Sequence, residues 1–226
     1  DLLINLDGKG NPPGRYRPDF SATTNWMGCH GGLSDYGLDQ NCWYGSYQEA
    51  KFAGSGGFGS SGNYGGGYLR LTADSIVLDG EIRANGLPAF YGAAGGGVHI
   101  EASTLSGSGV LRAQGGESTS SSTSSSSGGG GRISVYVDDR SGFTGTMLAQ
   151  GGFYNATTNI AGAGTVYVKE TLETYGHLTV GNRRAAQDRQ APFRERYRET
   201  LSTGGRAAIR RLWLRTILDI ARSALA

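Results

Sequence analysis

The sequence predicts an all-β fold, a right-handed parallel β-helix (solenoid) over residues 1–182, with a C-terminal α-helical tail over residues 183–226. Three observations support this prediction. The chain contains 40 glycines, all but two of them before Arg183, and this composition is typical of turn-rich β structure. One sequence pattern recurs along residues 65–182. The net charge changes from −5 over residues 1–182 to +7 over residues 183–226, which favours a domain boundary near residue 182.

Each copy of the pattern is a glycine cluster, an alternating strand and a second short strand. Aligned on Leu69, Val98, Ile133 and Val166, the copies are separated by 29, 35 and 33 residues, a spacing expected of stacked repeats. Alternation predicts an inward column made of Leu71, Ile100, Val135 and Val168. The segment Leu3-Ile4-Asn5-Leu6-Asp7-Gly8 resembles the end of a copy, so we expect the chain to begin inside a longer array.

Residues 9–64 form a long irregular excursion that is rich in aromatic residues. We expect it to cap an end or a side of the repeat region, because clustered aromatic side chains usually pack together. The alternative is an exposed platform for sugar rings. Its candidate residues are Trp26, Tyr36, Trp43, Tyr44 and Tyr47.

The excursion contains both cysteines of the chain, Cys29 and Cys42. We favour a disulfide, which suits a loop-rich extracellular segment. A partial metal site with His30 and a pair of free thiols are the alternatives. A metal site needs three or four converging ligands, and only these three residues are candidates nearby, so we predict no metal and no cofactor.

Three amides occupy equivalent positions, each after an alanine and before the glycine that closes a copy. They are Asn85, Gln114 and Gln150. In-register parallel stacking would place them about 4.8 Å apart, close enough to form a hydrogen-bonded amide ladder. We expect the middle member, Gln114, to matter most for stability. Three turn amides bonded only to water are the alternative.

The tail is rich in arginine and has apolar residues at helical spacing. We predict a helix over residues 206–225 with an apolar face that packs on the repeat region, a partner helix or an anionic membrane surface. That face consists of Ile209, Leu212, Trp213, Ile217 and Ile220.

Catalysis is the main rival to a binding or structural role, because enzymes that cleave carbohydrates need paired carboxylates in one groove. Glu101 shares its predicted outer face with Arg70, His99 and Lys169, but no second acid lies clearly opposite. We therefore predict no catalytic residues. We find no nucleic-acid-binding signature and no stretch as long as a membrane-spanning helix.

Residues 1–182 resemble the glycine-rich repeat regions of large secreted or surface-anchored proteins. The residues that carry this resemblance include Gly54-Ser55-Gly56-Gly57, Gly65-Gly66-Gly67-Tyr68-Leu69-Arg70-Leu71 and Gly128-Gly129-Gly130-Gly131-Arg132-Ile133. The resemblance implies an extracellular or cell-surface location and supplies no catalytic residues. We expect a structural or adhesive module that contacts glycans or surface partners, with a carbohydrate-active lyase or hydrolase as the alternative.

The tail has a separate resemblance. It is similar to the cytoplasmic helical segment before the first membrane span in some bacterial permeases of the macrolide-exporter type. The matching residues are Phe193-Arg194-Glu195-Arg196-Tyr197 and the stretch that begins Arg211-Leu212-Trp213-Leu214-Arg215-Thr216. We do not infer a transport function from it.

Overall fold

The computed structural model describes residues 3–15, 28–34, 42–58, 63–120, 125–154 and 159–182. Backbone contacts divide the chain into two units, residues 1–185 and 186–226, and all the described residues belong to the first. The predicted tail helix and its apolar face lie outside the described residues.

Two sheets are built from the repeated pattern, and each of the first three copies contributes one strand to each. The longer strands are β2 (Tyr68–Val77), β4 (Gly97–Ser106), β6 (Arg132–Asp139) and β10 (Thr165–Glu170), which pair in that order and in parallel. A last strand, β11 (His177–Thr179), pairs with β10 in the antiparallel direction. The shorter strands β1 (Leu3–Asn5), β3 (Glu81–Arg83), β5 (Val110–Arg112) and β7 (Thr146–Leu148) form a four-stranded parallel sheet. Strands β8 (Phe153–Tyr154) and β9 (Asn159–Ile160) form a separate antiparallel pair.

The hydrophobic core lies between the two sheets and contains residues from both. Leu71 pairs with Ile100, Ile100 with Val135 and Val135 with Val168, so alternation places these side chains in one column. Ile100 and Val135 are fully buried. Ile82 and Leu111 face them from the shorter sheet and are 2% and 0% exposed. Register is well defined here because a slip of one residue would turn the apolar set outward.

The longer strands bend at one common level. Asp74, Ser103 and Asp138 fall outside the ladder pairing that continues on either side of them. In β4 the two consecutive residues Ser103 and Thr104 are exposed, and burial resumes one residue out of phase at Leu105, which is only 1% exposed. The bend therefore adds one outward side chain to β4.

The glycine-rich segments that begin each copy pack against one another in a layer of their own. Their hydrogen bonds run between segments, for example from Gly131 N–H to Ala113 C=O at 2.7 Å and from Gly130 N–H to Gly162 C=O at 2.9 Å. A Cβ on Gly130 would overlap the carbonyl oxygen of Ala149. Only glycine fits such a close approach of backbones, as at the crowded axis of collagen.

The predicted right-handed parallel β-helix with an α-helical tail is wrong as a fold class. The described residues form separate parallel and mixed sheets, with β11 and the β8–β9 pair antiparallel, and they contain no helix. The cause lies in the weak fourth copy, in which the chain turns back after β10 and β11 adds to the edge of the longer sheet. Leu178 in β11 pairs with Tyr167 and is 44% exposed.

Candidate functional site

The irregular excursion packs on the outer face of the longer sheet. Arg132 donates from Nε to the Tyr44 carbonyl at 3.0 Å, and the Ala50 N–H donates to Ser134 Oγ at 2.9 Å. The Tyr136 hydroxyl donates to the Gln48 carbonyl at 2.9 Å. The first half of the outer face is therefore covered, which leaves Ser134 0% exposed although it points away from the core.

A disulfide joins Cys29 and Cys42, with an S–S distance of 2.04 Å. Both cysteines are buried with Tyr44 in a small cluster of their own. Among the described residues, no group of three or more His, Cys, Asp or Glu side chains is arranged to hold a metal ion. His30 is thus a buried neighbour of the disulfide.

Burial, reinforced by the nearby positive charge of Arg132, lowers the pKa of His30 from 6.5 to about 3. Its Nδ1 lies 2.8 Å from the Gly95 carbonyl, and its ring stacks on Tyr44 at a centroid distance of 4.6 Å. Because a carbonyl only accepts, Nδ1 carries the proton. His30 is therefore neutral at physiological pH.

Of the five candidates for a glycan platform, the structure describes Trp43, Tyr44 and Tyr47, and these three do not share one exposed face. Tyr44 is 4% exposed and donates its hydroxyl to the Ala53 carbonyl, so its ring is unavailable to a glycan. Trp43 is 55% exposed, and Tyr47 packs edge-on against Tyr167 at 5.5 Å. The remaining two candidates, Trp26 and Tyr36, lie outside the described residues.

Beyond the excursion, the outer face of the longer sheet forms an open groove of about 740 Å³. Four of its side chains form one in-register row across the strands, namely Thr72, Glu101, Tyr136 and Lys169. The next row consists of the bend residues Asp74, Ser103 and Asp138 together with Thr171, which follows the end of β10. The groove thus presents hydroxyl, carboxylate, phenol and ammonium groups.

Glu101 is held in the groove by two basic neighbours. His99 Nε2 lies 2.7 Å from Glu101 Oε1, and Arg70 Nη2 donates to both carboxylate oxygens at 2.9 and 3.1 Å. The hydrogen bond from His99, followed by that from Arg70, lowers the pKa of Glu101. Glu101 is therefore ionised at neutral pH and partly exposed, and it can accept hydrogen bonds from a ligand.

Behind Glu101, the hydrogen bonds form a chain that leads back to the excursion. Ser134 Oγ lies 2.7 Å from His99 Nδ1, while it accepts the Ala50 N–H. This places Ser134, His99 and Glu101 in a row that resembles a nucleophile, base and acid arrangement. Because Ser134 is fully buried, a substrate has no access to its hydroxyl. The hydrogen bonds from Ser134 through His99 instead hold Glu101 in place.

The three predicted ladder amides each lie two residues after the C-terminal end of a strand of the shorter sheet, and these strands, β3, β5 and β7, are neighbours. Asn85 Oδ1 accepts the Gln114 backbone N–H at 2.8 Å, and Gln114 Nε2 donates to Gln150 Oε1 at 2.8 Å. Asp7 precedes them and accepts the Asn85 backbone N–H at 2.7 Å, and Asn182 follows them and accepts the Gly151 N–H at 2.8 Å. Side-chain carbonyl oxygens therefore bind backbone groups of the neighbouring level as well as other amides.

The second row of the groove was not identified from the sequence, although alternation contains the signal for it. Asp74, Ser103 and Asp138 each lie two positions after Thr72, Glu101 and Tyr136, so a period of two places them on the same outer face. The burial of His99 and Tyr167 beneath the excursion, where they are 3% and 6% exposed, was also missed.

Among the residues that the structure describes, none belongs to a helix with the length and hydrophobicity needed to cross a membrane. Comparison with known proteins found no matching family model, no matching curated protein and no matching solved structure.

Proposed function

We propose that this chain is a non-catalytic adhesive module of a cell-surface or secreted protein, and that its outer groove binds glycans. The observation that carries this proposal is the groove of about 740 Å³ beside the excursion. It offers two parallel rows of polar side chains on strands of fixed spacing.

The chemistry of the groove suits a glycan chain. Sugar hydroxyls both donate and accept hydrogen bonds, and the groove supplies acceptors at Glu101 and Asp138 and a donor at Lys169. Tyr136 adds a ring against which the C–H face of a sugar can pack, as aromatic side chains combine an apolar body with a polar tip. Strands lie about 4.8 Å apart, so the groups repeat at regular intervals across the groove.

The groove is also rigid before any ligand arrives. Glu101 is fixed by His99 and Arg70, and Tyr136 is fixed by its hydrogen bond to the excursion. Pre-organised groups lose little conformational entropy on binding, which favours affinity for a flexible ligand. The Cys29–Cys42 disulfide fastens the excursion and is of the kind found in extracellular proteins.

A glycan array on the full chain, followed by calorimetric titration of the best ligand, tests this proposal. We expect Glu101→Gln and Lys169→Ala each to weaken binding by about tenfold or more, which corresponds to roughly 1.4 kcal/mol. Glu173→Gln is the matched control, because Glu173 is a carboxylate paired with His177 that does not line the groove. Absence of any glycan ligand, or equal binding by all three variants, would refute the proposal.

A carbohydrate-active enzyme is the second candidate, and one observation favours it. Asp74 and Asp138 line the same groove as Glu101, which supplies the paired carboxylates that glycoside hydrolysis requires. The lowered pKa of Glu101 suits a nucleophile or a base and not a general acid. Turnover in a polysaccharide-degradation assay, abolished by Glu101→Gln, would replace the adhesive proposal with this one.

A further inference from the structure

The outer groove is longer across the strands than along them. Its lining comes from the neighbouring strands β2, β4, β6 and β10, but from a stretch of only three residues at each. β2 and β10 are separated by three strand spacings, about 14 Å, whereas the two rows of side chains lie about 7 Å apart along each strand. A chain-like ligand that fills the groove therefore lies across the strands.

The excursion shows that this face of the sheet accepts a chain in that direction. Residues 47–52 cross the strands, because the Tyr47 ring packs on Tyr167 of β10 and a Cβ on Gly97 of β4 would meet the Phe52 carbonyl oxygen. This segment covers the half of the face that precedes the groove. The open half offers the same direction to a separate chain.

The polar side chains of the groove follow a pattern that alternates from strand to strand. At each strand the two rows hold one charged and one hydroxyl-bearing side chain. From the first row to the second, the pairs are Thr72 and Asp74, Glu101 and Ser103, Tyr136 and Asp138, and Lys169 and Thr171. The hydroxyl lies in the first row on β2 and β6, and in the second row at β4 and β10. Neighbouring strands thus present the same kind of pair in opposite order.

A flat β-linked glycan of the cellulose or chitin type has the same two regularities. Each sugar lengthens the extended chain by nearly one strand spacing, which is about 4.8 Å. Successive sugars face opposite ways, so the edge that carries the hydroxymethyl group changes sides at every sugar. A glycan with one sugar on each strand would therefore meet the charged and the hydroxyl side chain in the same relation at every level.

The floor and the charge of the groove restrict the ligand class further. Between the two rows the groove is lined by Ala73, Ala102 and Val137, which add no polar side chain. A floor of this kind suits the flat C–H face of a sugar ring, since ligand sites combine an apolar lining with a few polar groups. Three carboxylates and one ammonium line the groove, so a chain of uronic acids would meet like charges.

We propose that the groove binds an uncharged, ribbon-like β-linked glycan that lies across the strands, with one sugar on each of β2, β4, β6 and β10. This inference rests on the glycan-binding function proposed above, and it adds the ligand class, its orientation and a length of one sugar per strand. The carboxylates accept hydrogen bonds from neighbouring sugar hydroxyls, and the side-chain hydroxyls both donate and accept. Lys169 supplies a donor at the β10 end.

The test is calorimetric titration of the full chain with two series of two to six sugars, cello-oligosaccharides and N-acetylated chito-oligosaccharides. In the series that binds, affinity should rise about tenfold with each sugar up to the fourth and then level off, as expected when each sugar adds one or two net hydrogen bonds. Malto-oligosaccharides are the control, because their α-linkage curves the chain away from a flat face. At four sugars they should bind at least about tenfold more weakly.

An exchange variant tests the alternation without a change in charge or composition. Thr72→Asp combined with Asp74→Thr reverses the order of the pair on β2, where both side chains are exposed. The variant should bind three sugars as the unmodified chain does and lose the gain from the fourth, with an unchanged circular dichroism spectrum. Lys169→Ala should remove the same gain from the other end, and it decides if the exchange variant does not fold.

The outcomes separate this inference from the function on which it rests. Equal binding of the malto-oligosaccharides, an affinity that stops rising before the fourth sugar, or an exchange variant that keeps the gain from that sugar would overturn the inference. A glycan array in which only other kinds of glycan bind would also overturn it, while the glycan-binding function would still stand. No glycan ligand of any kind would overturn both.

Discussion

The buried imidazole of His30 makes stability depend on pH between neutrality and mild acid. Its side chain is fully buried, and its pKa is lowered to about 3. In the unfolded chain the imidazole titrates near pH 6.5. Between these two values the unfolded state binds one proton that the folded state does not. Stability is therefore fully present above pH 6.5 and is lost as the pH falls towards 3.

The magnitude follows from the size of this window. One pH unit is worth about 1.4 kcal/mol for one proton, so the free energy of unfolding should fall by about 2 kcal/mol between pH 7 and pH 5. Lower pH is avoided because the lowered pKa values of Glu101 and Glu173 give the same trend there. Equilibrium urea unfolding without reductant, repeated across this range, measures the effect.

His30→Gln separates the titration from the hydrogen bond. Glutamine can donate to the Gly95 carbonyl but does not titrate, so the variant should show a nearly flat profile between pH 7 and pH 5. His177→Gln is the control, since the His177 side chain is 68% exposed, and it should keep the slope of the unmodified chain. An unmodified chain with no slope, or a His30→Gln variant with an unchanged slope, would refute the reasoning.

Three further substitutions test the parts of the fold. Asn85→Leu should lower the free energy of unfolding by about 1–3 kcal/mol, because the Gln114 N–H loses its acceptor, whereas Asn85→Asp should retain most of the stability in the same denaturation assay. Gly130→Ala should cost about 3 kcal/mol or more, since its Cβ meets backbone, and Gly181→Ala, with open space around it, should change the melting temperature little. Arg132→Met should cost about 1–3 kcal/mol in urea unfolding because the Tyr44 carbonyl loses a buried donor.

Alternation was sufficient to predict the pairing of the longer strands. Leu71, Ile100 and Val135 lie in register because apolar residues at every second position can be buried on one side only. The same reasoning failed at the fourth copy. Whether β11 joins the shorter sheet or turns back on β10 depends on the turn over residues 171–176, and the strand pattern says nothing about that turn.

The groove could be predicted only in part. Glu101 was identified from its place on the outer face, whereas Asp74 and Asp138 were not identified as its neighbours, although a period of two places them on the same face. The covered part of that face depends on contacts between residues that are far apart in sequence, such as Ala50 with Ser134, which are separated by 84 positions. Local patterns carry no information about such distant contacts.

The glycine layer has a consequence for the order of events during synthesis. Segments that are neighbours in this layer come from distant parts of the chain, since the Gly162 N–H donates to the Leu33 carbonyl and the Gly32 N–H to the Gly130 carbonyl. At roughly 5–20 residues per second, the ribosome needs about 6–26 seconds to make the 130 or so residues between Leu33 and Gly162. The contact between Leu33 and Gly162 therefore cannot form until this time has passed. Oxidation of Cys29 and Cys42 within the interval would precede it.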